Sequence, residues 1–74
     1  MKSHAVRAEV SGTVWKIEVS VGDAVSAEQD LVILESMKME IPTAAAHAGV
    51  VRQVLVAQGE AVTEGQQLVI IELR

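Results

Sequence analysis

The feature that most constrains this chain is a duplication. Sliding the sequence along itself by 37 residues aligns Ser11–Glu35 with Ala48–Glu72 without a gap, and 11 of those 25 positions are identical. Gly12 falls on Gly49, Val14 on Val51, Val19 on Val56 and Gly22 on Gly59. Ala24, Val25 and Gln29 fall on Ala61, Val62 and Gln66, and Leu31, Val32, Ile33 and Glu35 on Leu68, Val69, Ile70 and Glu72. Two copies are too few for a solenoid, in which stacked repeats bury one another. The expected arrangement is one domain, residues 1–74, made of two intertwined halves related by a pseudo-two-fold.

Each half carries the same punctuation. Strand patterns run near 4–10, 13–19, 24–26 and 31–36, then near 39–43, 50–56, 61–63 and 67–73. Gly22-Asp23, Gly59-Glu60 and Glu64-Gly65-Gln66 mark turns between them. Valine and isoleucine together number 18, against one Trp and no Phe or Tyr. β-Branched side chains are stiff at χ1 and favour strands, so the fold class is all-β. Many short strands at even spacing imply a sandwich or small barrel. Trp15, Ile17, Val19 and Val21 alternate with Lys16, Glu18 and Ser20, which predicts one buried and one wet face. The runs Leu31–Leu34 and Leu68–Ile71 predict strands covered from both sides.

Strict alternation fails at one point. Val14 and Ile17 are three residues apart, as are Val51 and Val54 in the second copy. Burying all four needs an extra residue in each strand, a β-bulge. The one helix-like patch, 43–48, is too short to hold a helix by itself and reads as strand end and loop, with Pro42 on a strand edge.

Composition removes several function classes. There is no cysteine, hence no disulfide framework and no thiolate metal or redox site. His4 and His47 lie too far apart in sequence to form a metal-ligand spacing. The formal net charge of −4, with scattered acids, argues against nucleic acid. Apolar runs of four residues cannot span a bilayer, and the amino terminus lacks a signal-peptide pattern. The expected compartment is the cytoplasm, or an organelle if a targeting segment is missing here. No Gly-rich phosphate loop, Ser/His/Asp set or paired carboxylates in a cleft point to an autonomous enzyme.

One stretch carries candidate chemistry. Leu31–Ser36 and Met39–Thr43 can pair as a hairpin with Met37-Lys38 as its two-residue loop. Such loops favour Asn or Gly at positive φ, and Met and Lys are poor substitutes. A tight turn without turn residues suggests that its side chains matter more than local stability. Lys38 could be an ordinary solvated lysine, and Met37 and Met39 could be core gap-fillers. A lysine between two methionines, at a hairpin tip on the boundary of a repeat, reads instead as an attachment point. Lys2 and Lys16 have no such setting. Adding 37 to the tip positions reaches the end of the chain, so the tip and the chain termini are expected at opposite ends of the molecule.

The segment Glu35-Ser36-Met37-Lys38-Met39-Glu40, with Gly22-Asp23, Gly49-Val50-Val51, Gly59-Glu60 and Gly65-Gln66, resembles biotinyl/lipoyl carrier domains of the biotin carboxyl carrier type over nearly the whole chain. The resemblance implies a flattened barrel-sandwich of two four-stranded antiparallel sheets. It also implies biotin joined as an amide to Lys38 by a biotin protein ligase, with Met37 and Met39 as motif flanks. The cofactor would accept carboxylate at a biotin carboxylase and deliver it at a carboxyltransferase, leaving the carrier itself non-catalytic. Lipoyl domains of this family typically have Asp-Lys-Ala instead, which makes a lipoyl carrier the alternative; an unmodified barrel-sandwich interaction module is another. The "thumb" insertion of some acetyl-CoA carboxylase carriers has no room between Gly12 and Gly22. Glu28 stands opposite Gly65, where the family usually has glycine in both halves. If that turn needs positive φ, Glu28 carries a strain of about 1–2 kcal/mol.

A lysine amine in water is mostly protonated at neutral pH and a poor nucleophile. With no base evident beside Lys38, the ligase would have to supply both deprotonation and an activated acyl group. The carrier's own contribution would be position.

Overall fold

The computed structural model describes residues 2–73. Eight strands form: β1 (Ser3–Arg7), β2 (Gly12–Ile17), β3 (Ala24–Val25), β4 (Asp30–Ser36), β5 (Met39–Ala44), β6 (Gly49–Val54), β7 (Ala61–Val62) and β8 (Gln67–Leu73). They make two four-stranded antiparallel sheets, ordered β1-β8-β6-β3 and β5-β4-β2-β7. A shift of 37 residues maps one sheet onto the other strand for strand. Even the register is preserved: Ser3 faces Glu72 as Glu40 faces Glu35, and Val6 faces Val69 as Thr43 faces Val32. Residues 43–48 continue β5 to Ala44 and then form a loop, and Pro42 lies in an edge strand, both as expected.

The core obeys the same symmetry. Its buried side chains pair off 37 apart: Val14 with Val51, Val19 with Val56, Val25 with Val62, Leu31 with Leu68, Val32 with Val69, Leu34 with Ile71, Ala8 with Ala45 and Val6 with Thr43. The last two pairs lie outside the stretch where sequence identity revealed the repeat. Each sheet takes strands from both halves, so the apolar faces meet across the two-fold.

Four bulges set which residues reach this core. The register slips between Val14 and Lys16 in β2 and between Val51 and Gln53 in β6, as the three-residue spacing predicted. The extra residues are Trp15 and Arg52. A second pair of slips leaves Leu31 unpaired against β5 and Leu68 unpaired against β1. This corrects the reading of the four-residue apolar runs. Leu31 and Val32 both point inward because of the bulge, while Ile33 and Ile70 are only half-buried on the open outer faces. The expected alternation from Trp15 to Val21 also needs correction. Trp15 is the bulged residue and 42% exposed; Val21 is 64% exposed. β2 ends at Ile17, and the chain then crosses to the other sheet, burying Val19 on the way.

The turns that follow share one construction. In Ser20–Asp23, Ser26–Gln29, Ala57–Glu60 and Thr63–Gln66, the fourth residue's N–H donates to the first residue's carbonyl. Its side-chain oxygen in return accepts from the first residue's N–H, at 2.8–3.1 Å. The third residue has positive φ each time: Gly22 at 97°, Gly59 at 89°, Gly65 at 87° and Glu28 at 69°. Glu28 is therefore the one non-glycine asked to adopt this geometry in the four turns.

The molecule measures 36 × 17 × 17 Å. Val25 pairs with Gly49, which also faces Leu73, and with only four residues between, Asp30 begins β4 at the end remote from Ser36. The remote end of the hairpin sheet thus adjoins the Ser3–Leu73 end of the other. The β4–β5 tip and the outer ends of β1 and β8 lie at opposite poles. Met1 and Arg74 are outside the described residues.

Gly12 and Gly49 permit close strand approach. A Cβ at either would sit 2.3 Å from a backbone oxygen, of Glu35 or of Glu72. Gly49→Ala and Gly12→Ala should each cost about 1–3 kcal/mol through forced backbone shifts. Glu28→Gly should instead stabilise by up to about 1 kcal/mol, since the relieved strain exceeds the added freedom of the unfolded chain. Urea unfolding midpoints at constant slope check all three.

Candidate functional site

Ser36 and Met39 form the last paired rung of β4 and β5, leaving Met37 and Lys38 as the loop. Their φ angles are 53° and 64°. Two central residues at positive φ are the mark of a type I′ turn, whose twist matches that of the strands it joins. Neither residue is glycine or asparagine, and left-handed backbone costs such residues roughly 1–2 kcal/mol each. The hairpin forms because β4 and β5 pair from Val32 to Ser36 and anchor the core through Val32, Leu34 and Thr43. The sheet holds the turn; the turn residues themselves do not favour it.

Met37 is 93% exposed and Met39 65%. They are not core gap-fillers, and nothing in the packing explains why methionine stands there. Lys38 is exposed and takes part in no hydrogen bond or ion pair among the described residues. Its amine is thus an exposed group at one pole. Lys16 differs: it lies within β2 and pairs with Glu18 at 3.3 Å.

The rung just below the tip is acidic. Glu35 and Glu40 stand directly opposite each other, both exposed, and neither makes an ion pair among the described residues. Gly12 brings the start of β2 against Glu35 and Ser36 just below the tip. His4 and His47, distant in sequence, meet edge-to-face with ring centroids 5.5 Å apart, on the strands and loop of the opposite pole. No group of three or more metal-ligating side chains occurs among the described residues. The turn-closing side chains Asp23, Gln29, Glu60 and Gln66 are the residues that sequence reading missed. Their signal was present: Gln29 and Gln66 are identical across the repeat, and Asp23 aligns with Glu60.

The carrier-domain class of this two-fold sandwich comes from comparison with known proteins. Residues 2–71 match the biotin/lipoyl family model described as "Biotin-requiring enzyme". The chain belongs to the biotin/lipoyl attachment domain family. It is 46% identical over 46 residues to the biotin/lipoyl attachment protein of Bacillus subtilis, covering 62% of this chain and 63% of that protein. It is 47% identical over 49 residues to the biotin carboxyl carrier protein of Streptococcus mutans, covering 66% of this chain and 38% of that one. The match thus spans less than two thirds of either relative. Among solved structures, the urea carboxylase of Kluyveromyces lactis superposes with a TM-score of 0.92 at 30% identity, over 97% of this chain and 6% of that one.

If the tip is strained, replacing it with turn residues should relieve it. Met37→Asn with Lys38→Gly is expected to stabilise the fold by about 1 kcal/mol, read as a raised melting temperature. An unchanged or lowered melting temperature would mean that the tip carries no strain.

Proposed function

We propose that Lys38 carries biotin as an amide and that the domain serves as the carboxyl carrier of a biotin-dependent carboxylase. The observation that carries this reading is the placement of Lys38: exposed, at a tip held in left-handed geometry, between two exposed methionines. The residues fit the group. An amide needs an accessible amine with no competing partner, and Lys38 has none among the described residues. When bound, biotin supplies the chemistry of carrying carboxylate. The chain's part is to hold the attachment atom still at one pole, clear of the sandwich. A linker leaving the opposite pole would let that atom visit a biotin carboxylase and a carboxyltransferase in turn, at high effective concentration. Amide formation removes one positive charge, taking the formal net charge from −4 to −5.

The relatives' names support biotin and carboxylase assembly, and the name of the Bacillus subtilis protein includes lipoyl as well. The methionines flanking Lys38 favour biotin. Incubation with biotin, ATP and a biotin ligase, followed by peptide mass mapping, should place a single adduct on Lys38. An adduct on Lys2 or Lys16, or none, overturns the reading, and the mass of the group found on protein from cells separates biotin from lipoate.

Position, rather than local charge, should govern modification. Met37→Lys with Lys38→Met keeps composition and net charge but re-aims the amine, since adjacent turn positions point differently. Near-complete loss of ligation is expected, with an unchanged thermal melt because the tip touches little core. Glu40→Gln should slow ligation by less. Equal ligation of the shifted lysine, with abolition by Glu40→Gln, would show the reverse.

A further inference from the structure

The two-fold supplies an internal control for the outer face of each sheet. On the β1-β8-β6-β3 sheet, the bulged residue of β6 is Arg52, which pairs with Glu72 at 2.5 Å; Glu72 faces Ser3. One carboxylate there meets one guanidinium. The corresponding positions on the hairpin sheet are Trp15, Glu35 and Glu40. Two carboxylates oppose each other with no ion-pair partner among the described residues, and an indole 42% exposed stands where the arginine would be. Like charges directly across a rung are unfavourable. Lys16, on the same strand as Trp15, pairs with Glu18.

The two outer faces therefore differ where the fold does not require it, and the departure sits beside Lys38. Alternation from the buried pair Val14 and Leu34 puts Thr13, Lys16, Ile33, Glu35, Glu40 and Pro42 outward. Trp15 lies on β2 opposite the step from Leu34 to Ile33, about 7–10 Å down the sheet from Ser36 at roughly 3.3 Å per residue. An enzyme acting on the Lys38 amine itself must close over the tip, because the reacting nitrogen is only a side chain's length from the backbone. An enzyme acting on the far end of an attached arm has no such need. The surface just below the tip thus falls within the footprint of the enzyme that modifies the lysine.

We propose that the outer face of the hairpin sheet, centred on Trp15 and flanked by Glu35 and Glu40, is the docking surface for the ligase that modifies Lys38. The ligase surface it fits carries an apolar patch for the indole and an arginine or lysine for the paired carboxylates. Exposed tryptophans are frequent anchors of protein interfaces, and charge complementarity sets encounter rate and register. This inference rests on the reading of Lys38 as a ligase substrate.

The test is steady-state ligation with biotin, ATP and a biotin ligase, varying the carrier protein, with a thermal melt of each variant. Trp15→Arg copies the residue that the other sheet uses at the same position. It should fold as well as the wild type, since the new guanidinium can pair with Glu35 as Arg52 pairs with Glu72. It should raise the KM for the carrier roughly tenfold or more with little change in kcat. Trp15→Gln, which removes the indole without adding charge, should raise KM in the same direction and stands in if Trp15→Arg melts early. Arg52→Trp on the opposite sheet should leave KM unchanged. Glu35→Gln with Glu40→Ser should flatten the rise of KM with salt that the wild type shows. Wild-type KM in both Trp15 variants, or an equal rise in Arg52→Trp, overturns the docking face alone. Failure of the wild-type protein to be ligated overturns both this inference and the function it rests on.

Discussion

Neither half of this chain can bury its own apolar residues. β2 and β4 of the first half complete their sheet with β5 and β7 of the second, and β6 and β8 complete theirs with β1 and β3 of the first. The inner faces then meet through Leu31, Leu34, Leu68 and Ile71, each almost wholly buried. A chain of 74 residues without cysteine has no staple to fall back on, so its stability depends on this exchange. The exchange also explains the four bulges. A strand that alternates strictly puts every other residue inward; a bulge places two consecutive apolar residues on the core side, or shifts an arginine or tryptophan out of it. With bulges at matching positions in both sheets, a small sandwich gains inward-facing volume without longer strands.

Symmetry of this kind makes each departure from it informative. The core follows the two-fold without exception, and so do the register slips. The four hydrogen-bonded turns follow it with one lapse, Glu28 where the second copy has Gly65. That lapse lies in the β3–β4 turn and has a local cost, with no side-chain hydrogen bond or ion pair among the described residues to offset it. The lapses around Lys38 differ in kind. There the chain departs from its own pattern at Trp15, where the other copy has Arg52, and at Glu40, where it has Ser3, on one face and next to a turn that is itself strained. Two adjacent strained residues beside broken symmetry, against a single strained residue elsewhere at Glu28, are what a site shaped by an outside partner looks like.

Much of this was legible in the sequence because the repeat converts single residues into paired observations. Val14 to Ile17 alone would be an ambiguous break in alternation; its recurrence at Val51 to Val54 made the bulge a structural expectation. Glu28 could be read as a strained residue only because Gly65 stands opposite. What escaped was whatever the repeat could not double. Val6 and Thr43 occupy equivalent buried positions but share no identity, since a buried threonine and a buried valine have nearly the same shape. Trp15 looked like a core residue by size and alternation, because no property of its own side chain reports that a bulge has turned it outward. The turns at Gly22, Gly59 and Gly65 were marked, but their side-chain closure was missed because Asp, Glu and Gln serve there through a single oxygen, and three residue types for one role hide the pattern from inspection.

The position of the tip follows from topology rather than from any property of lysine. The rung between Ser36 and Met39 in the hairpin corresponds, 37 residues on, to the place where β8 and β1 end. One half of the sandwich closes this rung with a covalent turn, and the other leaves it open as two strand ends. A duplicated fold with its axis across the long dimension must put those two features at opposite poles, 36 Å being the length available. An amine at the closed rung therefore stays clear of whatever is fused at the open one. That separation would persist whatever group an amine there received, so the scaffold would decide reach, and the choice of group would fall to the residues around the tip.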